Sequence, residues 1–147
     1  MDKCKTTEIL KDHNIRLTKA RIMIMDIIIN QDQPFSVSEL FANYLQKSKT
    51  EITTIYRFIL VLTEKKILRE IGSFDNNQFY ELACVHNPVH PHFYCNSCHK
   101  IQCLKQLNAD DFIRLSEYSE ENKITEIKII MGGTCEKCKK KHYNHHS

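Results

Sequence analysis

TEITTIYRFILVLTEKK, residues 50–66, decides how the first half of the chain folds, because its apolar residues recur at helical spacing. Ile52, Ile55, Ile59 and Leu62 fall on one face of a helix. Thr53, Arg57 and Leu60 fall on the other, with Tyr56 beside them. Such a helix buries one side and presents hydroxyls, a guanidinium and a phenol on the other. A solvated helix face has a similar composition, so the flanking sequence has to decide what the exposed side is for.

Upstream, NIRLTKARIMIMDIIIN (14–30) offers Thr18 as an N-cap before a stretch that is apolar almost all round, which suits a buried helix. SVSEL (36–40) is a capping box, with Ser36 at the cap and Glu39 three residues on, and Pro34 stops what comes before. Downstream the period shortens. ILREIG (67–72) and QFYELA (78–83) read as two strands, and SFDNN (73–77) supplies Asp and Asn for the turn. Three helices followed by a hairpin outline a winged helix-turn-helix over 1–83, with 50–66 in the recognition position. Thr53, Thr54, Tyr56 and Arg57 lie off the apolar face, where they can reach base edges or phosphates.

CVHNPVHP (84–91) has no regular period and reads as a connector. The remainder, 92–147, resumes with strands over 92–95 and 100–104. A helix follows over 109–122, capped by Asn108 with Asp110 and Asp111 in its first turn, then a strand over 126–131 that Gly132-Gly133 should end. The closing KKKHYNHHS is basic and histidine-rich, and is expected to be mobile. The fold class is therefore α+β, a winged helix followed by a small α/β domain.

Charge alone argues for little. The net charge is +3, and residues 1–83 carry 12 Lys/Arg against 11 Asp/Glu, so any case for nucleic acid rests on where charges sit. The most apolar run, IMIMDIII (22–29), is too short to cross a bilayer and contains Asp26. The polar MDKCKTTEILKDHN at the start lacks the apolar core of a secretory signal. A cytoplasmic location without membrane contact is the expectation, and there the seven cysteines should be reduced thiols suited to metal or chemistry.

Four of those cysteines form two matched pairs, Cys95-x-x-Cys98 and Cys135-x-x-Cys138, separated by 36 residues. Two such knuckles can clamp one tetrahedral zinc ion. The intervening strand, helix and strand would bring them to the same end of a small sheet. A thioredoxin-like redox pair is disfavoured because neither C-x-x-C is expected to open a helix. A closed four-sulfur site holds a fold together but has no open position with which to sense. A second set, Cys84, His90 and His92 in C-x5-H-x-H spacing, can do so: residues 90 and 92 of a strand share a face, and Cys84 lies at the end of the wing. Metal bound by both halves would fix the angle between them. Cys103, His86 and Glu81 are further ligand candidates, although a lone glutamate beside a strand is usually solvated.

NIRLTKAR, TTIYRFILVLTEKKIL, the hairpin ending in FYEL, HPHFYCNSCHK and the closing CEKC together resemble the Fur family of bacterial metal-dependent repressors, from about Asn14 to Cys138. The resemblance implies a winged helix, a C-terminal dimerisation domain, and a homodimer that binds palindromic double-stranded DNA operators when loaded with metal. It implies that 50–66 enters the major groove, and that Arg16 touches phosphate or the minor groove. Iron- and peroxide-sensing members carry a histidine just before the helix that starts here near Ser36, where this chain has Pro34 and Phe35. Peroxide sensors place an aspartate where this chain has Cys103. Glu70, Cys84, His90 and His92 instead follow the spacing of the zinc-sensing Zur branch. The implied cofactors are a structural zinc and a sensory zinc, with iron or manganese as the alternative sensory metal. A further metal site used by many members would need ligands at Val89 and Pro91, so the resemblance implies its absence. His99 stands where the family usually has glycine. Regulation of zinc uptake is the function so implied, with an iron- or peroxide-responsive regulator as the alternative. An enzyme using Cys84 and the histidines is the rival from another class, and it lacks an evident general base.

Overall fold

The computed structural model of the chain describes residues 5–84 and 86–144. It divides into two compact units, Met1–Pro88 and Val89–Ser147.

The first unit contains α1 (Thr6–Asp12), α2 (Lys19–Ile29), β1 (Phe35–Ser36), α3 (Val37–Leu40), α4 (Ile52–Glu64), β2 (Leu68–Phe74) and β3 (Asn77–Leu82). Capping fixes the helix starts as the sequence suggests. Thr18 accepts from the Arg21 amide, and Ser36 and Glu39 cap each other reciprocally. α3 runs on into a single π-helical turn, Phe41–Leu45, which buries Leu45. Helix α4 seats Ile55, Ile59 and Leu62 in the core at 0–1% exposure, each contributing about 1.5–3 kcal/mol of apolar burial.

Two helix ends use the left-handed backbone to turn the chain. After α4, Lys66 adopts φ 60° while the amides of Lys66 and Ile67 bond back to the Thr63 and Leu62 carbonyls. After α1, Asn14 at φ 56° does the same, with Ile15 bonding to Leu10. α1 itself was not anticipated, because only Ile9 and Leu10 mark its apolar side. Leu10 is fully buried, and the Thr6 hydroxyl donates to Asp26, the one charge in the apolar run of α2.

The wing is a tight hairpin whose two loop residues, Asp75 and Asn76, both have positive φ, as a two-residue turn of right-handed twist requires. Phe35 pairs with Tyr80, so β1 completes a three-stranded antiparallel sheet in the order β1-β3-β2.

The second unit is built on a sheet in the order β5-β4-β6, from β4 (His92–Cys95), β5 (Ile101–Cys103) and β6 (Ile130–Gly133). β4 and β5 are antiparallel; β4 and β6 are parallel, with α5 (Ala109–Glu117) in the crossover. Three expected boundaries are corrected here. The strand placed at 126–131 begins at Ile130 and includes both glycines, because β4 pairs Tyr94 and Cys95 with Gly132 and Gly133. A side chain at Gly133 would stand 3.5 Å from the Phe93 ring, so the ring lies over the bare backbone. The helix expected to reach 122 ends at Glu117 and passes into turns. The basic tail is helical as far as α6 (Glu136–Asn144), and residues 145–147 lie outside the described residues. No described helix is long and apolar enough to cross a membrane.

Candidate metal centres and nucleic-acid face

The parallel pairing of β4 with β6 brings the two cysteine knuckles together. Cys95 ends β4, Gly133 lies beside it at the end of β6, and Cys135 follows two residues later. The four Sγ atoms of Cys95, Cys98, Cys135 and Cys138 lie within 4.8 Å of one another, and those of Cys98 and Cys135 are 3.8 Å apart. A tetrahedron with metal–sulfur bonds of about 2.3 Å has edges of about 3.8 Å, so the spacing fits zinc. The amides of Cys98 and Cys135 both donate to Cys95 Sγ, at 3.5 and 3.3 Å. Those amides hold the Cys95 thiol down to about 5, well below the usual thiol range. Cys138 is pushed the other way, up to about 12, first by its contact with the Cys135 side chain and then by burial. Four sulfurs this close resist becoming four thiolates unless a cation sits among them.

One expectation is overturned at this site. The second C-x-x-C does open a helix, since Cys135 immediately precedes α6 and Cys138 lies in its first turn. It is nonetheless no isolated redox pair, because its sulfurs face Cys95 and Cys98. The knuckle backbone also explains His99. Its φ of 63° is a conformation glycine adopts freely, and its Nδ1 lies 2.7 Å from the Tyr94 hydroxyl, which holds the larger residue in place.

A second ligand group forms at the opposite end of the same sheet. His90 and His92 are 8% and 4% exposed, and their rings are 4.5 Å apart between centroids. His90 lies just ahead of β4 rather than within it. His92 faces Cys103 across β4 and β5. The Leu104 amide bonds to the Pro91 carbonyl one position away and the Cys95 amide to the Lys100 carbonyl three positions away, so by alternation His92 and Cys103 form the closer, non-hydrogen-bonded type of pair. As a result the ligand atoms of His90, His92 and Cys103 lie within 4.8 Å of one another. Two imidazoles and a thiol suit zinc better than iron(II) or manganese(II), which favour carboxylate oxygen.

The remaining ligand candidates belong to the first unit. Cys84 is half-buried and His86 is exposed in the turn that the Asn87 amide closes onto the Cys84 carbonyl. Glu70 is exposed on β2 opposite Tyr80, whose hydroxyl is raised by burial and then by the Glu70 charge. Among the described residues of the first unit, neither Glu70 nor Cys84 joins a group of three or more His, Cys, Asp or Glu ligand atoms. Glu81 is not solvated, contrary to expectation: it is 5% exposed and its Oε1 accepts from Arg69 Nε at 2.7 Å. Arg69 and Glu81 oppose each other in the wing, as do Glu70 and Tyr80 one position on, so the two glutamates stand on opposite faces of the hairpin.

On α4, Thr53, Thr54, Tyr56 and Arg57 are exposed, as is Arg16 ahead of α2. Arg16, Arg21 and Arg57, together with Thr18, Thr54 and Phe58, line a cleft of about 370 Å³ between α2 and α4. Arg21 was missed from sequence. Its guanidinium stacks 5.8 Å over Phe58 and donates to the Arg16 carbonyl at 3.0 Å, so three arginines converge in a unit of nearly balanced charge. The signal was the KAR of α2 read one helical turn along, which needs the packing of α2 on α4 to interpret.

A winged helix bearing an arginine-rich face, followed in the chain by a small domain with cysteine and histidine ligand groups, is the arrangement of a metal-dependent DNA-binding class of protein. Residues 12–132 match the ferric uptake regulator family, and the chain belongs to it. Its members are metal-responsive DNA-binding transcription regulators rather than enzymes. Among curated relatives, the peroxide operon regulator of Bacillus subtilis strain 168 is 22% identical over 135 residues, 91% of each chain. Among solved structures, the Helicobacter pylori ferric uptake regulator superposes with TM-score 0.72 at 20% identity, over 90% of this chain and 88% of that one. A zinc uptake regulator complexed with zinc and DNA superposes with TM-score 0.64 at 21% identity, over 93% and 92%.

Proposed function

We propose that the chain is a zinc-responsive repressor that binds palindromic operators as a metal-loaded homodimer and controls zinc uptake. The observation that carries the choice of metal is the donor set of the second unit: His90, His92 and Cys103 within 4.8 Å of one another. A thiol where an iron or manganese site would place a carboxylate makes the site softer, and zinc is the abundant divalent ion that such a set retains.

Zinc takes four ligands, and we place the remaining donor in the chain before Val89. Glu81 is our choice, with Cys84 and Glu70 as the alternatives. Its carboxylate is already buried and oriented by Arg69, whereas Glu70 occupies the other face of the wing. Zinc held by this set would link donors from both halves of the chain, and the protein's own part would be to turn that occupancy into DNA binding by α4. There Arg57 reads guanine, Tyr56 packs on a thymine methyl, Thr53 and Thr54 reach bases or phosphate, and Arg16 and Arg21 engage phosphate. The Cys95, Cys98, Cys135 and Cys138 cluster holds structural zinc.

Homodimerisation has support in the second unit itself. α5 buries none of its residues, while Ile113, Ile130 and Met131 are 59%, 37% and 54% exposed. A second copy of this face would cover them.

The test of function is a duplex-binding titration at buffered free zinc, iron(II) and manganese(II). We expect binding to switch on at the lowest free concentration with zinc. Switching by iron(II) at concentrations where zinc is silent would transfer the assignment to an iron-responsive regulator.

A further inference from the structure

Arg69 sits at the base of the wing and holds three groups at once. Its Nε donates to Glu81 Oε1 at 2.7 Å, and its Nη2 donates to the Asn87 carbonyl at 2.7 Å and the Pro88 carbonyl at 3.2 Å. Asn87 reinforces the junction by donating from Nδ2 to the Leu82 carbonyl at 2.7 Å, just beyond β3. One rigid guanidinium thus ties β2, β3 and the last residues of the first unit into a single joint. The ion pair is well sheltered, with the Arg69 and Glu81 side chains 22% and 6% exposed.

We propose that Arg69 is the coupling residue of the repressor: it transmits occupancy at Glu81 to the segment through which the chain leaves the DNA-binding unit. The inference rests on Glu81 being a sensory donor. A cation arriving at Glu81 competes with the guanidinium for carboxylate charge, and the other arm of the same guanidinium bears on the Asn87 and Pro88 backbone. A change at the carboxylate is therefore felt two peptide bonds from Val89, where the second unit begins. A planar fork can serve carboxylate and carbonyl together, whereas an ammonium is a single point charge on a flexible stem. Lysine can therefore neutralise Glu81 without reproducing the joint.

The test uses the full chain with its four-cysteine site filled with zinc, and a duplex selected from a randomised library by the zinc-loaded wild type. Two quantities are read for wild type, Arg69→Lys and Arg69→Gln. One is the affinity for the second zinc equivalent, by chelator competition. The other is the ratio of duplex affinities with and without that zinc. In wild type we expect a ratio of about 5- to 150-fold, the ordinary span of allosteric coupling. In Arg69→Lys, zinc is still bound within about tenfold of wild type and the ratio collapses towards one. Arg69→Gln should lose the coupling as well. A merely structural arginine would lower thermal stability and weaken both duplex affinities together, leaving the ratio intact. That outcome in Arg69→Lys, with the wild-type ratio retained, overturns the proposal. A wild-type ratio of one overturns instead the metal-responsive function, and the coupling role with it.

Discussion

Arg57 is the single side chain on which sequence readout is proposed to depend most. It is exposed on α4, beside the cleft shared with Arg16 and Arg21. Replacing Arg57 by Ala should cost about 1–3 kcal/mol of operator binding and relax the preference at one base pair, measured by fluorescence anisotropy on single-base variants of the operator. Arg21→Ala should instead weaken all duplexes alike and flatten the salt dependence. At the proposed sensory group, Cys103→Asp exchanges sulfur for oxygen beside His92. The variant should bind iron(II) or manganese(II) more tightly relative to zinc, as read by metal competition. Unchanged selectivity would remove Cys103 from the donor set. The residue scale is also where sequence was least informative. C-x5-H-x-H spacing grouped Cys84 with His90 and His92, and spacing records only sequence neighbours. The partnership of His92 with Cys103 comes from strand register, and the burial of Glu81 comes from an arginine twelve residues earlier in the facing strand. Neither is legible until pairing is known.

At the scale of the element, helix ends were legible because capping is local chemistry. Thr18, Ser36 with Glu39, and Asn108 with Asp111 all act as their residue types suggest. The exit of α4 offers a direct check on that local chemistry. Lys66 carries the left-handed conformation there, and Lys66→Gly should stabilise the protein by about 1 kcal/mol in urea unfolding. In the core, Ile59→Ala should cost about 2–5 kcal/mol by the same measurement, since the side chain is 1% exposed. Elements whose extent depends on a distant partner were misjudged. β6 looked like an apolar strand stopped by two glycines, but its pairing with β4 decides its span and carries it through them. β1 is two residues long and exists only because Phe35 and Ser36 meet Tyr80 and Phe79.

Across the whole molecule, the two units are stabilised by different means. The extended hydrophobic cluster, from Leu10 to Tyr80, lies entirely in the first unit. The second unit buries Cys95, Ile101, His90 and His92 while leaving much of α5 and β6 exposed. Under the proposed function, a unit of this size with so small a core is expected to depend on metal and on a partner copy. Met131→Asp should therefore shift the protein from dimer to monomer in sedimentation, and chelation strong enough to strip the four-cysteine site should unfold the second unit before the first. The most direct test of the central claim is duplex affinity as a function of free zinc, for protein that already holds one zinc at Cys95, Cys98, Cys135 and Cys138. We expect weak specific binding with that zinc alone, tightening about 5- to 150-fold as a second equivalent fills, a gain abolished by His92→Ala. Tight binding at one zinc per chain, indifferent to further zinc and to His92, would contradict a zinc-sensing role.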